Sequence, residues 1–159
     1  MVYVPHRGDL PARFGEGVPL IPDIGPSELD SRVYTDPARF EAERRKVLNR
    51  SWQIICRSSE LPGTGDHVVW AGQGETIVIS RRRDGGVSGF HNVCQHRGAR
   101  IVPRSGQGAR RFTCRWHSWS YDLQGTLVGV PDREDFDEQQ LKDACAPAIE
   151  VAEWGGWVW

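Results

Sequence analysis

The sequence predicts a mostly β protein, an antiparallel β-sandwich or barrel that is preceded by an N-terminal arm and one helix. Short runs rich in β-branched and aromatic residues recur from residue 52 to the last residue, and Gly and Pro separate them. Runs that recur about every 8 to 12 residues between turn signals are typical of antiparallel sandwiches and barrels. The 159 residues are also enough to bury a core without disulfide staples.

Residues 1–32 are expected to form the N-terminal arm. The stretch VPLIPDIGP is typical of this region, which is rich in Pro and Gly and shows no sustained hydrophobic period. Such a segment either packs on a larger body or stays loose.

Residues 33–50 are expected to form a helical segment that leads into the main domain, with one helix from about residue 37 to 49. Asp36 can cap this helix, and Pro37 fits its first position. Glu41 and Arg45 are four residues apart and can form an ion pair on its solvent face. The apolar face is expected to consist of Phe40, Val47 and Leu48.

Residues 51–159 are expected to form the β domain. The predicted strands are WQIIC (52–56), HVVWA (67–71), TIVIS (76–80), VSGFHNV (87–93), RFTCR (111–115), SYDL (120–123), TLVGV (126–130), AIEVAEW (148–154) and WVW (157–159). The acidic run DREDFDE (132–138) is interpreted as a solvated loop, and RRR (81–83) as a hairpin tip.

Charge and hydropathy exclude several classes of function. The formal net charge of −1 gives no reason to expect nucleic acid or an anionic membrane as a partner. No apolar run is long enough to span a bilayer, and the N-terminus lacks the apolar core of a signal peptide. We therefore expect a cytoplasmic protein, in which clustered thiols bind metal more often than they form disulfides.

Two short motifs, each with one thiol and one imidazole, point to a metal. Cys94 and His96 stand in VCQHRG, and Cys114 and His117 stand in CRWHSWSYD. Both pairs fall between predicted strands, so two loops at one end of a rigid β scaffold would present all four side chains.

A structural zinc is one interpretation, because two Cys and two His can form a tetrahedral zinc site. Zinc fingers usually pair like residues, however, whereas each loop here offers one sulfur and one nitrogen. A [2Fe–2S] centre with two thiolates on one iron and two imidazoles on the other suits this pattern better. Replacing two thiolates by neutral imidazoles raises the potential from about −400 mV to within about −150 to +300 mV. Such a site has no open coordination position, and its function is to transfer electrons.

These residues also resemble a known family. C-x-H-R-G followed by C-x-x-H-S-W-x-Y-D resembles a Rieske iron–sulfur domain. The surrounding text, FHNVCQHRGARIV and FTCRWHSWSYDLQGTLVGVP, is similar to the Rieske part of aromatic-ring-hydroxylating (Rieske non-haem iron) oxygenase alpha subunits. The resemblance covers roughly residues 33–159. It implies that Cys94 and Cys114 bind one iron and that His96 and His117 bind the other.

The sequence departs from the respiratory-chain Rieske proteins at three positions. Those proteins carry a disulfide between the two loops, where this chain has Ala99 and Trp116. They also have a serine that donates to a sulfide, where this chain has Trp119. Tyr121, whose hydroxyl could donate to a cluster-bound sulfur, is retained. With one donor lost, we expect a potential toward the low end of the Rieske range.

Other residues near the motifs receive simpler interpretations. Gly98 is expected to adopt a positive φ angle in the first loop, and Trp116 and Trp119 are expected to cover the cluster. Arg97 and Arg115 flank the ligands, where they either help a negatively charged redox partner to dock or are simply exposed. The residues interpreted as having no cofactor role are His6, His67, His91, Cys56 and Cys145.

The resemblance implies an oxidoreductase in which this chain only transfers electrons. In the family, a ferredoxin or flavin reductase is the donor, and the acceptor is a mononuclear Fe(II) held by two His and a carboxylate in a C-terminal catalytic domain. That domain is absent from this sequence, so we expect a fragment, a truncated gene product or an isolated domain. The full-length family protein is a homotrimer, in which the residue matching His117 faces a carboxylate of the neighbouring subunit. The alternatives are a stand-alone Rieske-type ferredoxin and, third, a structural zinc module.

Overall fold

A computed structural model describes residues 30–72 and 74–159. The expected arm up to residue 29, and His6 with it, lie outside the described residues. The chain divides into two compact units, the first ending at Trp52 and the second beginning at Gln53. Across the described ranges, no helix has the length and apolar character needed to cross a membrane.

The described part of the first unit is helical. It contains α1 (Arg32–Thr35), α2 (Pro37–Lys46) and a 3-10 turn at Leu48–Arg50. The start of the predicted helix is confirmed, because the Asp36 carboxylate accepts a 2.9 Å hydrogen bond from the Ala38 N–H. The predicted ion pair is also present, with 3.4 Å between Arg45 Nε and Glu41 Oε1.

The apolar face predicted for this helix is not buried. None of the side chains of α2 is buried, and Phe40 and Val47 are 58% and 54% exposed. The helix sequence PARFEAERRK is charged on every side, so ion pairs along its surface, rather than an apolar stripe, support it.

The described residues of the second unit, 53–72 and 74–159, form ten short strands and one further helix, α3 (Glu138–Asp143). The strands are β1 (Cys56–Arg57), β2 (His67–Gly72), β3 (Glu75–Arg81), β4 (Val87–His91), β5 (Phe112–Thr113), β6 (Ser120–Tyr121), β7 (Leu127–Gly129), β8 (Ala148–Ile149), β9 (Glu153–Trp154) and β10 (Trp157–Val158). They form three antiparallel sheets with the orders β1-β10-β9, β2-β3-β4-β8 and β5-β6-β7.

The four-stranded sheet separates two hydrophobic cores. Along β3, Val78 faces one core together with Tyr121 from the β5-β6-β7 sheet. Ile77 and Ile79 face the other core together with Val158 from the β1-β10-β9 sheet. Because successive side chains of a strand point to opposite faces, this alternation makes a sandwich with a shared middle layer. The predicted antiparallel sandwich is thereby confirmed.

Several predicted strand boundaries are wrong. In the predicted run 52–56 only Cys56 joins a sheet, and the run 148–154 divides into β8 and β9, which belong to different sheets. The interpretation of 132–138 as a solvated loop is also wrong in part. Asp137 caps α3 by accepting from two backbone N–H groups, and Phe136 packs against the first core.

An ion pair ties β3 to β9. Arg81 lies at the end of β3, where the hairpin tip predicted at 81–83 begins, and its guanidinium is 2.7 Å from Glu153 Oε2. Arg81 also donates a 2.8 Å hydrogen bond to the Leu61 carbonyl. Its largely buried guanidinium is therefore bound by both a carboxylate and a main-chain carbonyl. The hydrogen bond from Arg81 lowers the pKa of Glu153 to about 2.

Candidate metal centre

Two loops that follow β4 and β5 hold the predicted ligands, and their main chains close in the same way. In the first loop the Cys94 N–H donates to the Ala99 carbonyl at 2.7 Å, and the Gly98 N–H donates back to the Cys94 carbonyl at 2.8 Å. In the second loop Cys114 donates to the carbonyl five residues later at 2.8 Å, and Ser118 donates back to Cys114 at 2.9 Å. Each loop is therefore a closed turn with its cysteine at the base.

This shared closure requires a left-handed residue at the same point of each loop. Gly98 has φ +73°, which confirms the positive φ angle predicted for it, and Ser118 has φ +57°. Only glycine adopts this region without steric cost. A Cβ added at Gly98 would meet no atom within 4 Å, so the requirement there is purely one of backbone conformation.

A buried asparagine holds the base of the first loop. The Asn92 side chain donates to the Val102 carbonyl at 2.6 Å and accepts from the Val102 N–H at 2.8 Å. Both ends of the loop are thereby joined through one side chain that is 3% exposed. Sequence reasoning missed Asn92, although its position two residues before the first ligand was a usable signal.

The two loops bring the sulfur and nitrogen donors to one end of the unit. Cys94 and Cys114 are both 2% exposed, and neither forms a disulfide. The His96 and His117 rings meet edge to face, with their centroids 4.5 Å apart. His96 Nδ1 is buried, and no described residue bonds to it. A buried ring nitrogen without a hydrogen-bond partner lowers the stability of the folded protein. This atom is therefore well suited to binding a metal.

Aromatic side chains enclose His96. The Trp119 ring stacks on it at 4.9 Å with an interplanar angle of 10°. Phe136 meets the His96 ring edge-on at 6.0 Å and the Trp119 ring at 5.3 Å. Burial lowers the pKa of His96, and the positive charges of His117 and Arg97 lower it further. His96 therefore favours the neutral form, which is the form that binds a metal.

His117 has a different environment from His96. It is exposed, and so is Trp116, whose side chain is 63% accessible. The Arg115 guanidinium lies 5.0 Å from the centre of the Trp116 ring. The expectation that Trp116 covers the cluster therefore differs from the structure, in which Trp119 and Phe136 enclose the site.

Tyr121 contacts a predicted iron ligand. Its hydroxyl is 3.4 Å from Cys94 Sγ and accepts a 3.0 Å hydrogen bond from the Gln95 N–H. Because the Gln95 N–H occupies an oxygen lone pair, the hydroxyl hydrogen is free to point at the sulfur. Burial, followed by the contact with Cys94, raises the pKa of Tyr121, so the hydroxyl stays protonated and able to donate.

The donor set fits a [2Fe–2S] cluster of the Rieske type. In such a cluster each iron has two protein ligands, which are two thiolates on one iron and two imidazoles on the other.

The remaining candidates lie in other surroundings. His91 Nδ1 pairs with Glu75 at 3.0 Å, and His67 packs against Phe112 with the rings 5.0 Å apart. Cys56 is buried in the second core, where burial raises the pKa of its thiol to about 11. Cys145 is free and partly exposed.

Comparison with known proteins identifies the class. The family model for the Rieske [2Fe-2S] domain matches residues 51–145. The chain belongs to this family. Its relatives are oxygenase subunits: the biphenyl dioxygenase subunit alpha of Metapseudomonas furukawaii is 37% identical over 80% of this chain and 27% of its own length. The carnitine monooxygenase oxygenase subunit of Escherichia coli is 33% identical over 82% of this chain and 35% of its own.

Solved structures agree with these relatives. A quaternary ammonium Rieske monooxygenase in complex with gamma-butyrobetaine matches with a TM-score of 0.74 and 30% identity, over 80% of this chain and 36% of that one. Naphthalene 1,2-dioxygenase matches with a TM-score of 0.72 and 28% identity, over 79% of this chain and 29% of that one. The chain is homologous to the N-terminal Rieske domain of such oxygenases, and it spans about a third or less of the relatives' length.

Proposed function

We propose that this chain carries a Rieske [2Fe–2S] cluster and serves as the electron-transfer domain of an oxygenase alpha subunit. Cys94 and Cys114 would bind one iron, and His96 and His117 would bind the other. The observation that carries the proposal is the pair of matched loops, each of which presents one buried thiol and one imidazole. The unpartnered Nδ1 of His96 supports it.

When bound, the cluster supplies one-electron redox chemistry at a potential within about −150 to +300 mV. Around it, the protein provides an asymmetric environment. Trp119 and Phe136 exclude water from His96, whereas His117 remains exposed and is the ligand that a redox partner can reach. The Tyr121 hydroxyl donates toward Cys94 Sγ and so favours the more negative, reduced state.

The wider assembly is part of the same proposal. We assign the donor to a ferredoxin or flavin reductase and the acceptor to a mononuclear iron in the catalytic domain of a neighbouring subunit of a homotrimer. His117 would face that neighbour. The domain organisation, with an arm over 1–32, a helical segment over 33–50 and the Rieske domain over 51–159, suits this role in the cytoplasm.

Electron paramagnetic resonance tests the proposal directly. Protein purified without air and reduced with dithionite is expected to give a rhombic signal with a low average g value. Cys94→Ser and His117→Cys are expected to lose that signal. Cys145→Ser, which changes a thiol outside the centre, is expected to keep it. A colourless sample that contains one zinc per chain would refute the electron-transfer function.

A further inference from the structure

A second concave surface lies at the other ends of the strands that carry the candidate centre. β4 begins beside the β3-β4 hairpin turn and ends beside the first ligand loop. β6 begins beside the second ligand loop and ends at the turn over residues 122–126. Between these two turns lies an open cavity of about 340 Å³, which we call the distal cavity. Its polar lining consists of Arg82, Arg83, Asp84, Arg110, Asp122 and Gln124.

The charges of this lining are only partly paired with one another. Its three arginines and two aspartates give a net charge of +1 (3 − 2). Arg82 pairs with Asp84, with 3.1 Å between Nη2 and Oδ2. Arg83 and Arg110 are exposed, and neither forms an ion pair or a side-chain hydrogen bond with any residue that the structure describes. Two guanidinium groups are therefore available to an anion.

Both aspartates of the lining bind the main chain. Asp84 Oδ1 accepts from the Gly86 N–H at 3.0 Å. Asp122 Oδ1 accepts from the Gln124 and Thr126 N–H groups at 2.8 and 2.9 Å. These bonds fix the carboxylates and offset part of their negative charge. Asp122 Oδ2 accepts from no described residue, so it can accept a hydrogen bond from the hydroxyl group of a ligand.

The turn over residues 122–126 is bound to the hairpin that faces it. The Leu123 carbonyl accepts from the Ser80 hydroxyl on β3 and from the Ser88 hydroxyl on β4, the latter at 2.8 Å. Ser80 is 0% exposed, so water does not compete for its bond. Because β3 and β4 are the two strands of the hairpin that carries Arg82 and Arg83, these bonds fix one wall of the cavity against the other.

The segment that carries Arg110 is joined to the same hairpin. The Ala109 N–H donates to the Gly65 carbonyl at 3.0 Å, and the Gly65 N–H donates to the Arg81 carbonyl at 2.9 Å. A Cβ at Gly65 would overlap the Ala109 backbone, so only glycine permits this close approach. Hydrogen bonds of the protein itself thus hold all three segments around the cavity. A preorganised site of this kind loses less conformational entropy when it binds a ligand.

We propose that the distal cavity binds a small hydroxylated anion, either a phosphate monoester or a hydroxydicarboxylate. Arg83 and Arg110 bind its phosphate or carboxylate oxygens, because a guanidinium group presents paired N–H donors that match such groups. Asp122 accepts from its hydroxyl group. The volume lies at the lower end of the range for ligand pockets, about 300 to 1,000 Å³, which suits a small molecule. This inference goes beyond the proposed function and does not depend on the cluster.

Isothermal titration calorimetry of the full chain tests the proposal. The two probes are glycerol 3-phosphate and malate, in a low-salt buffer free of phosphate. We expect saturable binding of at least one probe with a Kd of about 1 mM or less, and the probe that binds more tightly identifies the chemistry of the anion. Arg83→Gln/Arg110→Gln is expected to raise that Kd at least about tenfold, because it removes both charge-assisted contacts. Failure of both probes to bind would overturn the proposal and leave the proposed function standing.

Two controls separate a site from general attraction of anions. Arg104→Gln/Arg111→Gln removes the same charge from exposed residues that do not line the cavity, and it is expected to change the Kd by less than about twofold. Propyl phosphate and succinate keep the anionic groups of the two probes but lack their hydroxyl groups. They are expected to bind about 3 to 10 times more weakly, because Asp122 loses its donor.

Nuclear magnetic resonance locates the bound probe. The amide signals of Gly85 and Gln124, one in each turn, should shift with the Kd that calorimetry gives. Shifts confined to residues away from the cavity would overturn the proposal, and so would equal weakening by the two double variants. Equal binding of a probe and its analogue without hydroxyl groups would also overturn it. All four substituted arginines are exposed, and circular dichroism of each variant checks that the fold is kept.

Discussion

Removing the Tyr121 hydroxyl should lower the reduction potential of the centre. In Tyr121→Phe the ring stays in the first core, where Tyr121 is 0% exposed, and only the oxygen is lost. That oxygen lies 3.4 Å from Cys94 Sγ, and full burial leaves no water to replace it. The hydrogen bond stabilises the reduced cluster more than the oxidised one, because the reduced cluster is more negative.

The size of the shift follows from the strength of one hydrogen bond. A net contribution of about 1 kcal/mol is typical, and a one-electron couple changes by about 59 mV for each tenfold change in equilibrium constant. The expected decrease is therefore about 45 mV. Because the pKa of Tyr121 is raised, the difference between wild type and variant should be the same at pH 7 and pH 9.

Redox titration monitored by circular dichroism measures the shift. Tyr34→Phe removes the same atom from a residue that is 79% exposed and is expected to leave the potential unchanged. The Gln95 N–H also loses its acceptor in Tyr121→Phe, so the variant is expected to lose stability as well, which urea denaturation measures separately from the potential. A change below about 10 mV, or an increase, would show that Tyr121 does not donate to a cluster ligand.

Three further changes have defined outcomes. Phe136→Ala exposes one side of the His96 imidazole to water. The reduction potential of the centre, measured by redox titration, and its g values, measured by electron paramagnetic resonance, should therefore both change. Gly98→Ala places a Cβ at φ +73°, which should lower the free energy of unfolding by about 1 kcal/mol in urea denaturation, whereas Ser118→Gly should not lower it. Glu153→Gln should lower the free energy of unfolding by about 1 to 2 kcal/mol at pH 7, because it removes the ion pair with Arg81. This figure is already reduced for the partial exposure of the Glu153 carboxylate. Because the pKa of Glu153 is lowered to about 2, this stability is present above the unfolded pKa of 4.5 and is lost as the pH falls toward 2.

Each of these changes has its own control. Phe136→Leu, which keeps the side chain apolar and bulky, should restore most of the wild-type potential, and equal effects of Leu and Ala would exclude a role in shielding. Equal destabilisation by Gly98→Ala and Ser118→Gly would contradict the shared loop geometry. For Glu153→Gln, the difference in unfolding free energy from the wild type should be smaller at pH 2.5 than at pH 7. An equal difference at both pH values would show that the ion pair is not the cause of the destabilisation.

The donors and the fold class could be predicted because their signals are local. The spacing of Cys94, His96, Cys114 and His117 is visible in the sequence, and β3 is a run of β-branched residues with no competing interpretation. The positive φ of Gly98 was also predictable, since glycine supplies that conformation at no cost. These features depend on residues close together in the chain.

The surroundings of the donors depend on contacts between distant residues and were not predictable. Phe136 lies in an acidic run whose composition indicates solvent, yet its ring packs on His96, forty positions earlier. Asn92 bonds with Val102 only because the first loop folds back. The predicted apolar helix face that includes Phe40 is not buried, because the spacing of residues along a helix cannot show whether another element covers that face.

The way in which the two loops close has a consequence for the rate of electron exchange. Each loop is completed by its own main-chain hydrogen bonds, at 2.7 and 2.8 Å in the first and at 2.8 and 2.9 Å in the second. Main-chain hydrogen bonds therefore restrain the backbone of the site at the base of each loop. Because the backbone around the cluster is restrained, it moves little when the cluster gains or loses an electron. The reorganisation energy, which slows electron transfer, is therefore small.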